Sequence, residues 1–393
     1  MLCTVALKTL TLLLSLSKGE ATFQGPARVC AVTHALKEME PVVLALASNE
    51  PYFPGLYCTV ASALSHLNSA RKADVRVLDG GLSETSKEIL SRLVRRFGRS
   101  VRLEFVSVDE SIFRDATIGP AESHMTYCRT LLPCLLDVPR LIYLDSDLLV
   151  FRDLSEIFDF ELSPGKILAA VPDSETLTVG DDSRALASAM NVPPDWRYFN
   201  AGVMLLNLGE LRRQNFTEQA LEFFKKWKGR YRFWDQSAFN FLLHERIDEL
   251  PEYWNRASWC FDEQDDNSLG CVLHYTTSAP WLCGTQGPAQ VLFERFAADA
   301  GSPVNRQIAA FKKSRRQQFF RNLLAPFRAL AFPVMSFFYK IAGQKENAAG
   351  YQKAARYWLC YILNAPGRRR LHHRRAREIQ GMKFKFAAFK SAT

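Results

Sequence analysis

From Pro41 onward the chain alternates short apolar runs with segments of helical spacing, and that alternation leaves few folds open to it. Residues 42–47 read as a buried strand, and residues 55–67 carry Leu56, Val60, Ala63, Leu64 and Leu67 at helical intervals. A strand over 75–78, a helix capped by Ser83 that reaches Phe97, and a strand over 101–106 continue the pattern. Repeated strand–helix–strand units imply parallel pairing, with helices on both faces of the sheet. A helical stretch over 127–136 then leads to Arg140 and a fourth apolar strand over 141–144. Residues 148–151 return to apolar, and 167–171 read as a further strand. Beyond these, the polar, proline-bearing stretch 174–197 reads as a long loop lying over a site as a lid. A strand over 198–206 interrupted at Asn200-Ala201-Gly202, helices over 211–227 and 235–243, and a last short strand over 271–275 complete the expected elements.

At 393 residues there is room for one large domain with an appendage or for two ordinary domains. With 48% hydrophobic and 23% charged residues, a disordered chain is excluded. The net charge of +9 is unevenly spread. Residues 305–393 hold 20 Lys and Arg against 2 Asp and Glu, whereas the rest holds 30 against 39. An acidic body with a basic, aromatic tail argues against nucleic acid as the partner and for an anionic membrane surface. The tail's apolar stretch is broken by Pro326, Arg328 and Pro333, which fits a helical extension lying at an interface better than one crossing a bilayer. The leucine-rich run after Lys8 is too short to span a membrane, and residues 1–38 read either as a targeting signal or, because Met39 stands just ahead of the first strand, as a non-essential or disordered extension. The nine cysteines include no C-x-x-C pair and read as reduced, buried thiols. The expected location is therefore cytoplasmic, peripheral on the inner face of the membrane.

Chemistry concentrates where strand 141–144 runs into Asp145-Ser146-Asp147. In open α/β sheets ligands bind outside the carboxyl ends of strands. Residues two apart in extended chain point the same way, so Asp145 and Asp147 present both carboxylates to one side. A hard divalent cation would relieve their repulsion and bring substrate phosphates with it; the competing reading is a pair of solvated or capping carboxylates. His274 ends the apolar stretch Cys271-Val272-Leu273, where it reads either as a structural histidine or as a third ligand whose imidazole would favour Mn²⁺ over Mg²⁺. Asp235 and Gln236 open a helix, where Asp235 is either an N-cap or a functional carboxylate.

Five stretches in order resemble glycosyltransferase family 8: Ala47-Ser48-Asn49-Glu50-Pro51-Tyr52, Leu144-Asp145-Ser146-Asp147, Tyr198-Phe199-Asn200-Ala201-Gly202-Val203, Trp234-Asp235-Gln236, and His274-Tyr275 through Pro280-Trp281. The resemblance implies a GT-A domain over 39–304, a Rossmann-like mixed α/β sheet with helices on both faces, followed by the basic helical tail. It implies that Asp145, Asp147 and His274 bind Mn²⁺, with Mg²⁺ as the substitute. It assigns donor contacts to Ala47, Asn49, Tyr52, Arg129, Asp145, Ser146, Asp147, Asn200, Ala201, Asp235 and Gln236, the last two beside the transferred sugar as catalytic residues. Arg129 reads alternatively as an exposed helix charge. Gly202 is expected to let backbone approach the sugar closely. The implied activity is retaining transfer of a hexose from a nucleotide sugar, UDP-galactose or UDP-glucose, to a glycan or glycolipid acceptor such as lipopolysaccharide. Two departures stand out. Asn49 and Pro51 replace the family's Asp and Asn, and Thr276-Thr277-Ser278-Ala279-Pro280-Trp281 lacks the glycine and lysine that reach the diphosphate. The alternative is accordingly a catalytically impaired nucleotide-sugar-binding protein or scaffold.

Overall fold

The strand β1 (Val42–Ser48) is buried almost throughout, as a central parallel strand covered on both faces must be. The computed structural model that contains it describes residues 40–98, 100–118, 123–258, 270–276, 279–281 and 288–302. The expectations for 1–38 and for the 305–393 tail lie outside the described residues.

After β1 the chain runs through helix α1 (Phe53–His66), β2 (Ala73–Asp79), α2 (Glu84–Arg95) and β3 (Val101–Ser107). Ser83 caps α2 by accepting a hydrogen bond from the Ser86 amide, as its position before the apolar periodicity foretells. Next come β4 (Arg140–Leu144), β5 (Leu148–Val150), β6 (Leu168–Pro172), α3 (Val179–Met190) and β7 (Phe199–Asn207). The described remainder comprises α4 (Phe216–Lys226), α5 (Trp234–Leu243), β8 (Ile247–Glu249), β9 (Arg256–Ala257), β10 (Val272–His274) and α6 (Pro288–Asp299).

Seven strands form one sheet in the order β3-β2-β1-β4-β7-β6-β8. β3, β2, β1 and β4 are parallel, β7 runs antiparallel to both β4 and β6, and β8 is parallel to β6, so the sheet is mixed. The chain leaves β1 toward β2 and β3 and later returns to β4 on the opposite side of β1. Leu46 of β1 sits beside Leu144 of β4, so the ends of these two strands open a crevice where the strand order reverses. A second, three-stranded sheet, β5-β10-β9, stands next to it. β10 pairs antiparallel with β5, with His274 opposite Leu148, and the Tyr275 amide donates to the Asp147 carbonyl at 3.0 Å. This small sheet carries the histidine back to the two aspartates.

Several expectations need correction. The stretch 174–197 is not a loop throughout, because α3 occupies its middle. A reciprocal capping box starts that helix: Thr178 Oγ1 accepts from the Asp181 amide while the Asp181 carboxylate accepts from the Thr178 amide. The helix ends at Asn191 in left-handed conformation (φ 55°). The expected helix over 211–227 is two, Leu208–Arg213 and α4, because Asn215 between them also takes positive φ (51°). The stretch 127–136 begins as a 3₁₀ helix, Met125–Leu131, before one α-turn, Leu132–Leu135. β7 is not interrupted at Asn200–Gly202; the irregularity is a register shift against β6 between Ala170 and Pro172.

Among the described cysteines, Cys58, Cys128 and Cys271 are buried and Cys134 is exposed. No helix among the described residues is long and apolar enough to cross a membrane.

Candidate active site

A cavity of about 320 Å³ opens at the crevice beside the ends of β1 and β4. Asp145, Asp147 and His274 meet in its wall, with one ligand atom from each lying within 4.8 Å of the others. His274 Nε2 is 3.3 Å from Asp147 Oδ1 and 3.6 Å from Asp145 Oδ2. Two carboxylates and an imidazole at this spacing form a mixed oxygen and nitrogen donor set suited to a divalent ion such as Mn²⁺. Gly202 makes room for it. A Cβ there would stand 2.2 Å from His274 Cε1 and 2.9 Å from Asp145 Oδ2. The glycine of β7 thus serves the close approach of the His274 ring. Burial opposes protonation of His274, but Asp147 and Asp145 outweigh it and raise its pKa above the usual value. The aspartates therefore favour positive charge where a cation would sit.

Arg129 is not an exposed helix charge; it is buried and fully engaged. Its Nη2 pairs with Asp145 Oδ1 at 2.9 Å, its Nη1 donates to the Ala201 carbonyl at 2.6 Å, and its Nε donates to the Thr126 carbonyl at 3.1 Å. The guanidinium also stacks 4.6 Å from the centre of the Tyr143 ring. Burial would lower the Arg129 pKa, but Asp145 and Asp235 more than reverse this, so the guanidinium stays charged. Arg129 thereby ties Asp145 to the helix that carries Asp235.

Asp235 does not cap that helix, whose N-cap is Phe233. Its carboxylate is buried, accepts from Thr126 Oγ1, and lies 2.8 Å from Arg129 Nε without an aligned hydrogen bond on Oδ2. Burial pushes the Asp235 pKa up to about 6, a rise that Arg129 and Thr126 only partly oppose. Preceding it, Trp234 takes φ 50°, an unusual conformation for so bulky a residue at the entrance of a helix. Gln236 Oε1 accepts from the Ala201 amide at 3.0 Å and its Nε2 donates to Asp173 Oδ2 at 3.3 Å, so the amide is pinned at the cavity edge.

The other expected site residues divide by position. Ala47, Asn49, Tyr52 and Asn200 line the cavity. Asn49 Nδ2 donates to Ser123 Oγ, and its Oδ1 is buried without a hydrogen-bond partner. Tyr52 meets Trp281 edge-on, and Trp281 lies against Gly55, where a Cβ would stand 2.1 Å from the indole. Ser146 and Ala201 are not among the lining side chains. Ser146 Oγ instead donates to the Ala47 carbonyl at 2.6 Å, fastening the Asp145–Asp147 turn to the end of β1. Two residues escaped the sequence reading. Asp173, at the end of β6, lines the cavity and accepts from both Asn200 and Gln236. An acid directly after an apolar strand was the available signal, identical in kind to Asp145. Asn255 holds His274, and its position after Trp254 carried no signal at all.

The seven-stranded sheet and the site at its switch point define the GT-A glycosyltransferase fold. Two solved structures share it: the bifunctional glycosyltransferase WbbM (TM-score 0.57, 21% identity, 70% of this chain and 52% of that one) and the galactosyltransferase LgtC, bound to donor and acceptor sugar analogs (TM-score 0.55, 23% identity, 66% of this chain and 96% of that one). The sequence profile of glycosyl transferase family 8 matches residues 43–283, and the chain belongs to that family. General stress protein A of Bacillus subtilis (strain 168) is 30% identical over 203 residues, spanning 50% of this chain and 68% of the relative.

Proposed function

We propose that the protein is a cation-dependent, retaining hexosyltransferase that takes its sugar from a nucleotide donor, UDP-galactose or UDP-glucose. The observation that carries this reading is the charge of the cavity. Asp145, Asp147, Asp173, Glu175 and Asp235 line it, against one guanidinium that is already bound to Asp145 and paired with Asp235. A diphosphate entering five carboxylates would be repelled, so its binding requires a cation that those carboxylates can hold. Asp145, Asp147 and His274 would hold Mn²⁺, or Mg²⁺ in its place, and the ion would neutralise the departing diphosphate as a Lewis acid.

The rest of the work falls to the chain's own groups. Asn49 presents a buried acceptor toward which a nucleobase N–H would be drawn, while Ala47 and Tyr52 shape that end of the cavity. Gln236 Oε1 carries one hydrogen bond and keeps a lone pair with which to stabilise the positive charge that develops at the anomeric carbon. Asp235, anchored by Arg129, stands beside it for the donor hydroxyls. Asn200 borders the sugar, and Ser146 and Ala201 support the donor site through the backbone they hold in place. Residues 39–304 form the catalytic unit in this reading. The acceptor is a glycan or glycolipid such as lipopolysaccharide, reached from the cytoplasmic face by a protein whose basic 305–393 tail rests on the anionic membrane surface.

Incubation with a panel of nucleotide sugars and Mn²⁺ tests the proposal. The expected result is UDP release from one UDP-hexose, abolished by chelation, with the α-anomer retained in the product. The engagement of Arg129 and the missing lysine favour a second reading, a nucleotide-sugar-binding protein without turnover. Cation-dependent UDP binding with no hydrolysis of any donor would decide for that one.

A further inference from the structure

His274 can hold a cation through Nε2 only if that nitrogen carries a lone pair, which requires the ring proton on Nδ1. In a buried site this choice is not left to the imidazole. His274 Nδ1 lies 2.8 Å from Asn255 Oδ1, and both residues are buried. An asparagine amide can face either way, so the polarity of this contact has to be fixed by what lies behind it.

Behind it, the ends of the chain of hydrogen bonds cannot be reversed. Asn255 Nδ2 donates to Asn200 Oδ1 at 2.8 Å. The same Asn200 Oδ1 accepts from the Gly202 amide at 2.9 Å, and a backbone N–H can only donate. Asn200 Nδ2 in turn donates to Asp173 Oδ2 at 3.0 Å, and a carboxylate can only accept. With its oxygen held by a backbone donor and its nitrogen by an anion, Asn200 has one orientation. Asn255 must therefore donate to it and turn its own oxygen to His274.

We infer that Asn255 is a positioning residue that fixes His274 in the Nδ1-protonated tautomer, its polarity set through Asn200 by the Gly202 amide and the Asp173 carboxylate. The inference rests on the reading of Asp145, Asp147 and His274 as a cation site. It adds an element to that site, since the order of donors along the relay decides whether the third ligand is available. Asn255 is not among the residues lining the cavity, so its effect on the site passes through His274 and Asn200, the two residues it holds.

Two measurements on the full chain test it. In ¹⁵N-histidine-labelled protein without metal, at alkaline pH, the His274 resonances, assigned by comparison with His274→Gln, should show the proton on Nδ1 and a bare Nε2. A proton on Nε2 would overturn the inference, and this measurement needs no bound ion. The second is Mn²⁺ titration followed by electron paramagnetic resonance. Asn255→Ala should weaken Mn²⁺ binding about ten- to a hundredfold, the usual effect of losing such an outer partner. Asn255→Asp, which still accepts from Nδ1 but no longer donates to Asn200, should lose clearly less than Asn255→Ala. Equal loss in both variants, or binding by Asn255→Ala as tight as wild type, sinks the positioning role. Should wild type itself take up no Mn²⁺, the cation reading fails while the nitrogen spectrum still decides the tautomer.

Discussion

At the scale of single residues the site is built from small clearances and one buried acid. Gly202 has no room for a methyl group, because His274 and Asp145 fill the space. Gly202→Ala should therefore cost about 1–3 kcal/mol of stability by overpacking, and it should abolish saturable Mn²⁺ binding in the same titration that tests Asn255. Asp235 makes a prediction about pH. Its folded pKa, about 6, lies above its ordinary 3.8, so the folded state binds the proton more tightly than the unfolded chain does. The stability this supplies is complete below about pH 4 and is lost as pH rises through about 6. In chelator, denaturation of wild type should lose about 3 kcal/mol across that window relative to Asp235→Asn, whose side chain does not titrate. A flat difference between the two would show that folding does not hold the carboxyl protonated above its ordinary range. Asp145 and His274 were readable as candidates because each follows an apolar run, while the resemblance to family 8 is what joined them with Asp147 as one site. The relay was not readable, since Asn255 and Asn200 are 55 positions apart and only the fold brings their amides together.

At the scale of elements, β1, β4 and β10 were legible because buried parallel or central strands need uninterrupted apolar runs. β8 and β9, three and two residues long, are too short to show a period. The helix α3 was hidden for another reason. Its polar, proline-flanked sequence lacks a strong apolar stripe, and the box that starts it uses Asp181 where Glu or Gln would have drawn attention. This cap gives a testable consequence, for α3 follows directly on Ser174, Glu175 and Thr176, which line the cavity. Thr178→Ala should remove about 1 kcal/mol from the helix. Hydrogen exchange should then quicken in α3 and the 174–176 segment while β1 and β4 keep their protection. Uniform acceleration throughout the sheet would mean that α3 is no separate unit of opening.

At the scale of the whole molecule, charge is the property with the longest reach. The segment before 305 is net acidic, the tail net basic, and the cavity carries five carboxylates on its wall. If the tail rests on anionic lipid, sedimentation with anionic vesicles should fall steeply as salt shortens the screening length to about 8 Å at physiological ionic strength. Deleting the residues after 304 should remove the salt-dependent part altogether. A truncated chain that still sediments like the full one would place the membrane contact elsewhere.

The hydrogen bond from Trp281 Nε1 to the Pro51 carbonyl, 2.9 Å long and 230 positions apart in sequence, bears on how the protein is made. During synthesis β1 and its crevice can form early, but the indole that backs Tyr52, and the histidine that faces Asp147, leave the ribosome much later. Nascent chains stalled before residue 281 would hold the two aspartates on a finished strand with nothing yet to close over them. Assembly of the site is thus tied to the late arrival of a short segment, so the cluster of Asp145, Asp147 and His274 is complete only once translation has passed residue 274.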